Sequence, residues 1–209
     1  MAWWSDRVVP HLVDRALSTG DVMAEREKVC APLAGRVLEI GFGSGLNIGM
    51  YPDAVDVVSA VEPSDTAWRM SARRRSTSVV PIRRTGLDGQ ALAEPDASFD
   101  TVLSTFTLCT IPDVGTALSE ARRVLRPGGA LVLLEHGLAP DPEVARWQRR
   151  LDRVQGAIFA GCHLTRDMAS LVTSAGFEIT SLERRYLPGP AMSHPWTFAY
   201  SGVAVTPAG

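Results

Sequence analysis

The residues best suited to chemistry in this chain are a glycine-rich loop and an acidic side chain that follows it. The loop reads Glu39-Ile40-Gly41-Phe42-Gly43-Ser44-Gly45 and comes directly after the apolar pair Val37-Leu38. Because glycine has no Cβ, such a loop lets the backbone approach a nucleotide-like ligand closely. Glu62 ends the next apolar run, about twenty residues past the loop, where a carboxylate can accept hydrogen bonds from ribose hydroxyls. Together, the loop and Glu62 predict a site for an adenosine-bearing cofactor.

The spacing of the glycines separates one cofactor class from another. Dinucleotide-binding loops follow the pattern G-x-G-x-x-G. This chain has G-x-G-x-G, and Leu46 stands where the third dinucleotide glycine would be, which disfavours a nicotinamide oxidoreductase. We expect the loop to lead into a helix at Leu46-Asn47-Ile48, whose free N–H groups would give the site a partly positive edge.

Length and composition are those of an ordinary globular protein. The chain has 209 residues, 45% of them hydrophobic, and a net charge of -2, so nucleic acid is not a predicted partner. The charges and Pro10 near the N-terminus do not suit a signal peptide, and no apolar run reaches the length of a membrane span, so we expect a cytoplasmic location. The cysteines, Cys30, Cys109 and Cys162, lack metal-ligand spacing and are expected to be separate, buried, small hydrophobic residues. The oligomeric state stays open.

Alternating apolar runs and amphipathic segments predict an α/β fold. We expect a Rossmann-like, seven-stranded, mostly parallel sheet with the last strand antiparallel and helices on both faces. The predicted strands cover residues 36–40, 57–61, 79–83, 99–104, 130–135, 177–183 and 196–205, and the predicted helices 22–31, 66–75, 114–124, 143–156 and 165–175. One domain is expected over residues 1–209, with residues 1–34 as an N-terminal helical lid segment.

Several segments resemble one protein family. The pattern E-x-G-x-G-x-G resembles motif I of class I S-adenosylmethionine (SAM) methyltransferases. Residues 95–102 and 125–136 resemble the segments leading into strands four and five of the methyltransferase type 11 group, which includes quinone-biosynthesis enzymes. Residues 107–111 and 161–166, with Glu135-His136, resemble a bacterial subgroup related to the animal thiol S-methyltransferases.

The resemblance implies SAM as cofactor, S-adenosylhomocysteine as product, and a role for each matching position. Glu62 would hold the ribose hydroxyls, with Pro63 and Ser64 beside the adenine; as an alternative, Glu62 is a solvated loop acid. The methionine end of SAM would be surrounded by Glu39, Gly41, Phe42, Gly43 and Gly45.

Two further pairs complete the implied cofactor site. Asp88-Gly89 would read the adenine, although Asp88 beside a glycine is also a common turn former. Ser104 and Thr105, at the end of strand four, would lie under the sulfonium, or would simply satisfy backbone groups.

The acceptor is expected to be a small, rather apolar molecule, either a thiol or a phenol or quinol. His136 and His163 are the candidate general bases, each with an ordinary structural role as the alternative. Trp3-Trp4 could form a lid over the acceptor, with Trp147 and Trp196 in the wall, or pack normally. No metal site is expected. The alternative functions are a non-catalytic SAM-binding protein and a C-methyltransferase of quinone biosynthesis.

Overall fold

A seven-stranded sheet organises the computed structural model, which describes residues 2–208. Its strand order is β3-β2-β1-β4-β5-β7-β6. Strand β7 runs antiparallel to both its neighbours, and the remaining pairs are parallel, so the predicted fold class is confirmed. The strands are β1 (Gly35–Ile40), β2 (Val55–Val61), β3 (Ile82–Gly86), β4 (Phe99–Thr105), β5 (Leu125–His136), β6 (Glu178–Tyr186) and β7 (Phe198–Val205).

Helices lead into the sheet and connect its strands. Asp113, Asp141 and Asp167 cap three of them, each accepting backbone N–H bonds from the first turn. The helices are α1 (Ala2–Arg7), α2 (Val9–Leu17), α3 (Gly20–Cys30), α4 (Asp65–Met70), α5 (Ala72–Ser76), α6 (Val114–Val124), α7 (Pro142–Ile158), α8 (Met168–Ser174) and α9 (His194–Thr197). Across residues 2–208, no helix combines the length and the apolar character that a membrane crossing needs.

Two apolar layers lie on opposite faces of the sheet, as the pleat of buried strands requires. In β5, Leu131 and Leu133 join the core that contains α6 and α8, whereas Val132 and Leu134 join the core that contains α3. Both faces of the central strands are therefore covered, and the carboxyl ends of β1, β4 and β5 meet at one edge.

The predicted helix at Leu46-Asn47-Ile48 is wrong. The chain there makes only a 3-10 turn over Ile48–Met50. The Asn47 side chain donates to Glu39 at 2.9 Å. Pro52, two residues after the turn, disfavours helical backbone at Tyr51. The glycine loop therefore has no α-helix terminus to make its edge positive.

Other differences concern element boundaries. The third strand begins at Ile82 and not at residue 79, since Val79 is exposed and Pro81 has no N–H to donate. The helix predicted over 66–75 is divided at Ser71, whose hydroxyl donates to the Trp68 carbonyl. The last strand starts at Phe198, after the short helix α9.

Candidate active site

The glycine loop presents bare backbone at the carboxyl edge of the sheet. Gly41, Gly43 and Gly45 all have positive φ, at 75°, 59° and 76°. At Gly41 the Thr107 side chain occupies the place where a Cβ would lie. A Cβ on Gly43 would meet nothing closer than the Gly41 carbonyl oxygen at 3.9 Å, so Gly43 faces open space. A ligand can therefore reach the loop backbone at Gly43.

Glu62 lies against this loop, as the spacing predicted. One carboxylate oxygen accepts the Gly43 N–H at 2.6 Å, and the other accepts the Ser64 N–H at 2.7 Å. The side chain is buried, and burial raises the pKa of Glu62, while these two hydrogen bonds act in the opposite direction. Each oxygen keeps a further lone pair for a ligand hydroxyl. Glu62 is thus a buried part of the loop and not a solvated acid.

A buried polar network supports the glycine loop. Glu39 accepts hydrogen bonds from the Asn47 amide at 2.9 Å and from the Tyr51 hydroxyl. The Asn47 amide also donates to the Thr105 hydroxyl at 3.0 Å. Burial raises the pKa of Glu39 to about 7, against the lowering effect of its hydrogen bonds and of Arg26. Glu39 therefore fixes the end of β1 and does not present a free carboxylate.

Arg26, on α3, brings an incompletely paired cation into this network. Its Nη1 donates to the Asn47 amide oxygen and to the Thr105 hydroxyl, both at 2.8 Å. The side chain is only 3% exposed, and within residues 2–208 its buried Nε has no hydrogen-bond partner. Buried donors are almost always paired, so the free N–H indicates a place for an anionic or hydrogen-bond-accepting ligand.

Glu135 fixes the segment that follows β4. Its carboxylate is fully buried and accepts the backbone N–H groups of Thr107, Leu108 and Cys109 at 2.9, 3.0 and 3.3 Å. It also accepts the Ser104 hydroxyl at 2.7 Å. Burial raises the pKa of Glu135, and these bonds oppose that rise. Both predicted hydroxyls at the end of β4, Ser104 and Thr105, are therefore engaged within the protein.

A mostly apolar cavity of about 630 Å³ opens beside these strand ends. The Phe106 and His136 rings lie in its wall with their centroids 4.7 Å apart. The Nδ1 atom of His136 is buried and has no hydrogen-bond partner among the described residues. Burial lowers the pKa of His136 to about 4, so its imidazole is neutral near pH 7. Helices α2, α3 and α7 supply most of the remaining wall, including Val13, Leu17, Val22, Leu151 and Ile158, and Phe159 adds to it just after α7.

Comparison with known proteins agrees with this geometry. The family described as "Methyltransferase domain" matches residues 38–133. A thiol S-methyltransferase from Rattus norvegicus is 34% identical over 153 residues, which are 70% of this chain and 62% of that protein. A phosphatidylethanolamine N-methyltransferase from Cereibacter sphaeroides is 32% identical over 59% of this chain and 62% of its own length. The ubiquinone/menaquinone C-methyltransferase of Dinoroseobacter shibae is 31% identical over 68% of this chain and 48% of its own length.

The fold gives the same answer. The crystal structure of a putative methyltransferase from Bacillus halodurans matches 90% of this chain and 100% of its own with a TM-score of 0.70, at 15% identity. Residues 38–133 thus match the methyltransferase domain family, and the fold is that of class I SAM-dependent methyltransferases. This family and its fold imply SAM as the cofactor. The chain spans less than two thirds of the length of the three relatives named above.

The two histidine candidates lie in different surroundings. His136 lines the cavity, whereas the His163 ring does not. The Nδ1 atom of His163 is 2.8 Å from the Asp152 carboxylate, which also accepts the Leu164 N–H at 2.7 Å. His163 is thus part of the connection between α7 and α8.

Asp88 forms a local turn. Its exposed carboxylate accepts both the backbone N–H and the side-chain amide of Gln90 at 2.9 Å, and these bonds lower the pKa of Asp88. Gly89 is buried, and a Cβ there would lie 2.8 Å from Ile40.

Ser64 caps α4 by accepting the Ala67 N–H at 3.2 Å, while Pro63 is exposed next to Glu62.

The tryptophans and cysteines differ from expectation in part. Trp196 lines the cavity, but Trp147 is 49% exposed and lies outside the cavity wall. Trp4 connects α1 to α7, because its indole N–H donates to the Ile158 carbonyl at 3.0 Å.

All three cysteines are buried and free, yet the Sγ atoms of Cys109 and Cys162 are 3.6 Å apart. These two are therefore not the separate residues that their spacing suggested.

Sequence reasoning did not identify Arg26, Phe106 or the anchoring role of Glu135. The chain contains many arginines, and Arg26 lies on a helix whose polar and apolar residues do not separate into two faces. No local pattern therefore marks it. Phe106 has a positive φ of 54°, which places its ring at the cavity, and the sequence carries no sign of that backbone conformation. Glu135 offered one signal, a charged residue at the end of a long apolar run, which usually means a buried and paired carboxylate.

Proposed function

We propose that this protein transfers a methyl group from SAM to a small, apolar thiol. The observation that carries the proposal is the apolar cavity of about 630 Å³ at the carboxyl ends of β4 and β5, on the edge of the sheet where the glycine loop also lies. The segment after β4 connects the two regions, because Phe106 lines the cavity and the next residue, Thr107, packs against Gly41. The rat thiol S-methyltransferase supports the choice of a sulfur acceptor.

The residues present fit SAM. Glu62 has lone pairs for the two ribose hydroxyls, and the open face of Gly43 lets a ligand approach the loop. The unpartnered Nε–H of Arg26 suits the carboxylate of the methionine moiety, which would complete the pairing of a buried cation. When bound, SAM supplies a methyl group that is already activated by its sulfonium.

The protein's own part in this reaction is to align the acceptor and exclude water. The rings and aliphatic side chains of the cavity hold an apolar acceptor, and the carboxylate of Glu135 keeps the Phe106 segment rigid. Helices α2 and α3, within the lid segment predicted over residues 1–34, line the cavity and would close it over a bound acceptor. A thiol has a pKa of about 8.5, so a useful thiolate fraction exists without a strong base. For an acceptor that holds its proton more tightly, the Nδ1 atom of His136, which has no partner among the described residues, lies in the cavity wall as the candidate base.

A second candidate function is methylation of a phenol or quinol, including C-methylation in quinone biosynthesis. The position of His136 in the cavity wall, where its Nδ1 atom has no hydrogen-bond partner among the described residues, supports this candidate, since such acceptors must lose a proton that is bound more tightly than in a thiol. The relative from Dinoroseobacter shibae points the same way. A SAM-binding protein without catalysis is the third reading. A cytoplasmic location stays a prediction.

The test is a screen of the purified protein with SAM against thiols, phenols, quinols and amines, with formation of S-adenosylhomocysteine as the readout. We expect turnover with small apolar thiols. Ala16→Phe would fill the cavity from α2 and should raise KM for the thiol about tenfold or more, because it removes space for the acceptor. Ala157→Phe, at an exposed position on α7 outside the cavity wall, is the matched control and should leave KM unchanged.

Each other outcome has a defined meaning. Turnover with phenols or quinols alone would replace the thiol by the second candidate. SAM binding without turnover on any acceptor would leave a binding protein. Equal effects of Ala16→Phe and Ala157→Phe on KM would show that the acceptor does not occupy this cavity.

A further inference from the structure

Two of the three cysteines meet in the wall of the acceptor cavity. Cys109 lies in the segment that follows β4, and Cys162 lies in the connection between α7 and α8. Their Sγ atoms are 3.6 Å apart, and both residues line the cavity. Both are otherwise buried, so the cavity is the route by which a small molecule reaches them.

Backbone contacts hold the two cysteines in this position. The His163 N–H donates to the Cys109 carbonyl at 2.8 Å, and Arg166 donates to the Leu108 carbonyl. Gly161, with φ +94°, lies so close to Thr110 that a Cβ would be 3.2 Å from its carbonyl oxygen. Backbone contacts thus hold the two segments that carry the thiols next to each other.

The surroundings make the two thiols unequal. The sulfur–sulfur hydrogen bond and burial raise the pKa of Cys109, whereas the same hydrogen bond lowers the pKa of Cys162. Gln155 also lowers the pKa of Cys162, while burial and the Glu135 and Asp152 carboxylates oppose that effect. The surroundings therefore favour ionisation of Cys162 over that of Cys109.

We propose that Cys109 and Cys162 are a redox-active dithiol that reduces small, apolar disulfides inside the cavity. The Cys162 thiolate attacks one sulfur of the disulfide, which forms a mixed disulfide and releases one thiolate. Cys109 then loses its proton and attacks the Cys162 sulfur, which forms the Cys109–Cys162 disulfide and releases the second thiolate. The balance is one disulfide reduced to two thiols and one protein dithiol oxidised.

The proposal deepens the proposed function, because it supplies in the cavity the kind of thiol that would be methylated. It also predicts that oxidation of the two cysteines slows methyl transfer. To form a bond of about 2.05 Å the two sulfur atoms must approach by about 1.5 Å, which links the segment after β4 to the connection between α7 and α8. The oxidised protein should methylate thiols more slowly until an external dithiol reduces it.

The experiment uses the reduced 209-residue chain and dithiodipyridine, a neutral aromatic disulfide that releases a coloured thione. In wild type we expect two thiones per chain, a final mass lower by two hydrogens, and a crosslink between the peptides that contain Cys109 and Cys162. Cys109→Ser should release one thione and keep the mixed disulfide on Cys162. Cys162→Ser should react at least about tenfold more slowly, since the remaining thiol is little ionised.

Cys30 provides the internal control. It is fully buried in the other core layer and lies outside the cavity wall, and burial raises its pKa. Cys30 should stay unmodified in native protein and react only after unfolding. Alanine variants of Cys109 and Cys162 with native thermal unfolding guard against an effect of misfolding.

Two results would overturn the proposal: wild-type protein that retains a mixed disulfide, or Cys162→Ser that reacts as fast as wild type. The readouts are mass and thione release, and neither needs SAM. A disulfide that forms normally in a protein with no thiol methylation would therefore remove the proposed function alone. Thiol methylation without disulfide formation would remove this proposal alone.

Discussion

His136 should make the stability of the protein depend on pH in a way that one substitution removes. Burial lowers the pKa of His136 to about 4 from 6.5. Between these values the unfolded chain binds a proton that the folded protein does not, so the free energy of unfolding falls as the pH falls through this window. At pH 5 this single proton lowers the free energy of unfolding by about 2 kcal/mol relative to pH 8.

Urea unfolding of wild type and His136→Phe at pH 8 and pH 5 measures the effect. Phenylalanine keeps a ring beside Phe106 and cannot titrate, so the variant should lack the loss of about 2 kcal/mol on acidification. The comparison must be a difference between proteins, because other groups titrate as well. Glu39, whose pKa burial raises to about 7, contributes stability below its unfolded value of 4.5 that is lost as the pH rises through 7, and this contribution cancels in the difference.

The refuting result is equal loss of stability in the two proteins between pH 8 and pH 5. It would mean that water in the cavity hydrates the imidazole well enough for His136 to ionise as it does in the unfolded chain. His136→Asn is a second non-titrating variant, which guards against overpacking by the larger phenyl ring. Agreement of the two variants would assign the effect to the proton and not to the fit of the new side chain.

Four further predictions concern ligands and turnover. Glu62→Gln should weaken SAM binding in calorimetry by about tenfold or more, since charge-assisted hydrogen bonds are worth about 1.5–3 kcal/mol, whereas the exposed control Asp65→Asn should not; equal affinities would remove Glu62 from the site. SAM and S-adenosylhomocysteine should raise the melting temperature while NAD and NADP do not, and a shift with NAD alone would contradict the cofactor assignment. Arg26→Met should weaken SAM binding about tenfold but leave binding of 5′-methylthioadenosine, which has no carboxylate, unchanged; parallel losses would show a purely structural arginine. His136→Asn should slow turnover on a phenol by about 10²–10⁴-fold and on a thiol far less, and equal small losses on both would exclude a general base there.

Sequence patterns predicted what depends on local spacing. The alternation of apolar runs located all seven strands, and the interval between the glycine loop and Glu62 placed these two side by side, as the hydrogen bond from Gly43 to Glu62 shows. The helix expected at Leu46 failed because a tertiary contact decides that segment: the Asn47 side chain bonds to Glu39.

The unpredicted parts of the site are contacts between distant positions. Arg26 reaches Thr105 across 79 residues, and Cys109 meets Cys162 across 53. Nothing near Arg26 in the sequence distinguishes it from the other arginines, and the spacing of the cysteines argued against a pair. Such contacts follow from which strand ends the topology brings together, so they appear only once the order of the strands is known.

Buried carboxylates at the carboxyl edge of the sheet indicate how this site works. Glu39 lies near the end of β1, Glu62 follows β2 and Glu135 lies near the end of β5. Each accepts hydrogen bonds from a loop that borders the site. Burial raises the pKa of all three. Their hydrogen bonds are made within the protein, so these groups hold loops in place and do not exchange protons with an acceptor. A rigid edge of this kind suits a reaction in which the methyl group arrives already activated, because what remains is to fix two reactants in line and keep water out.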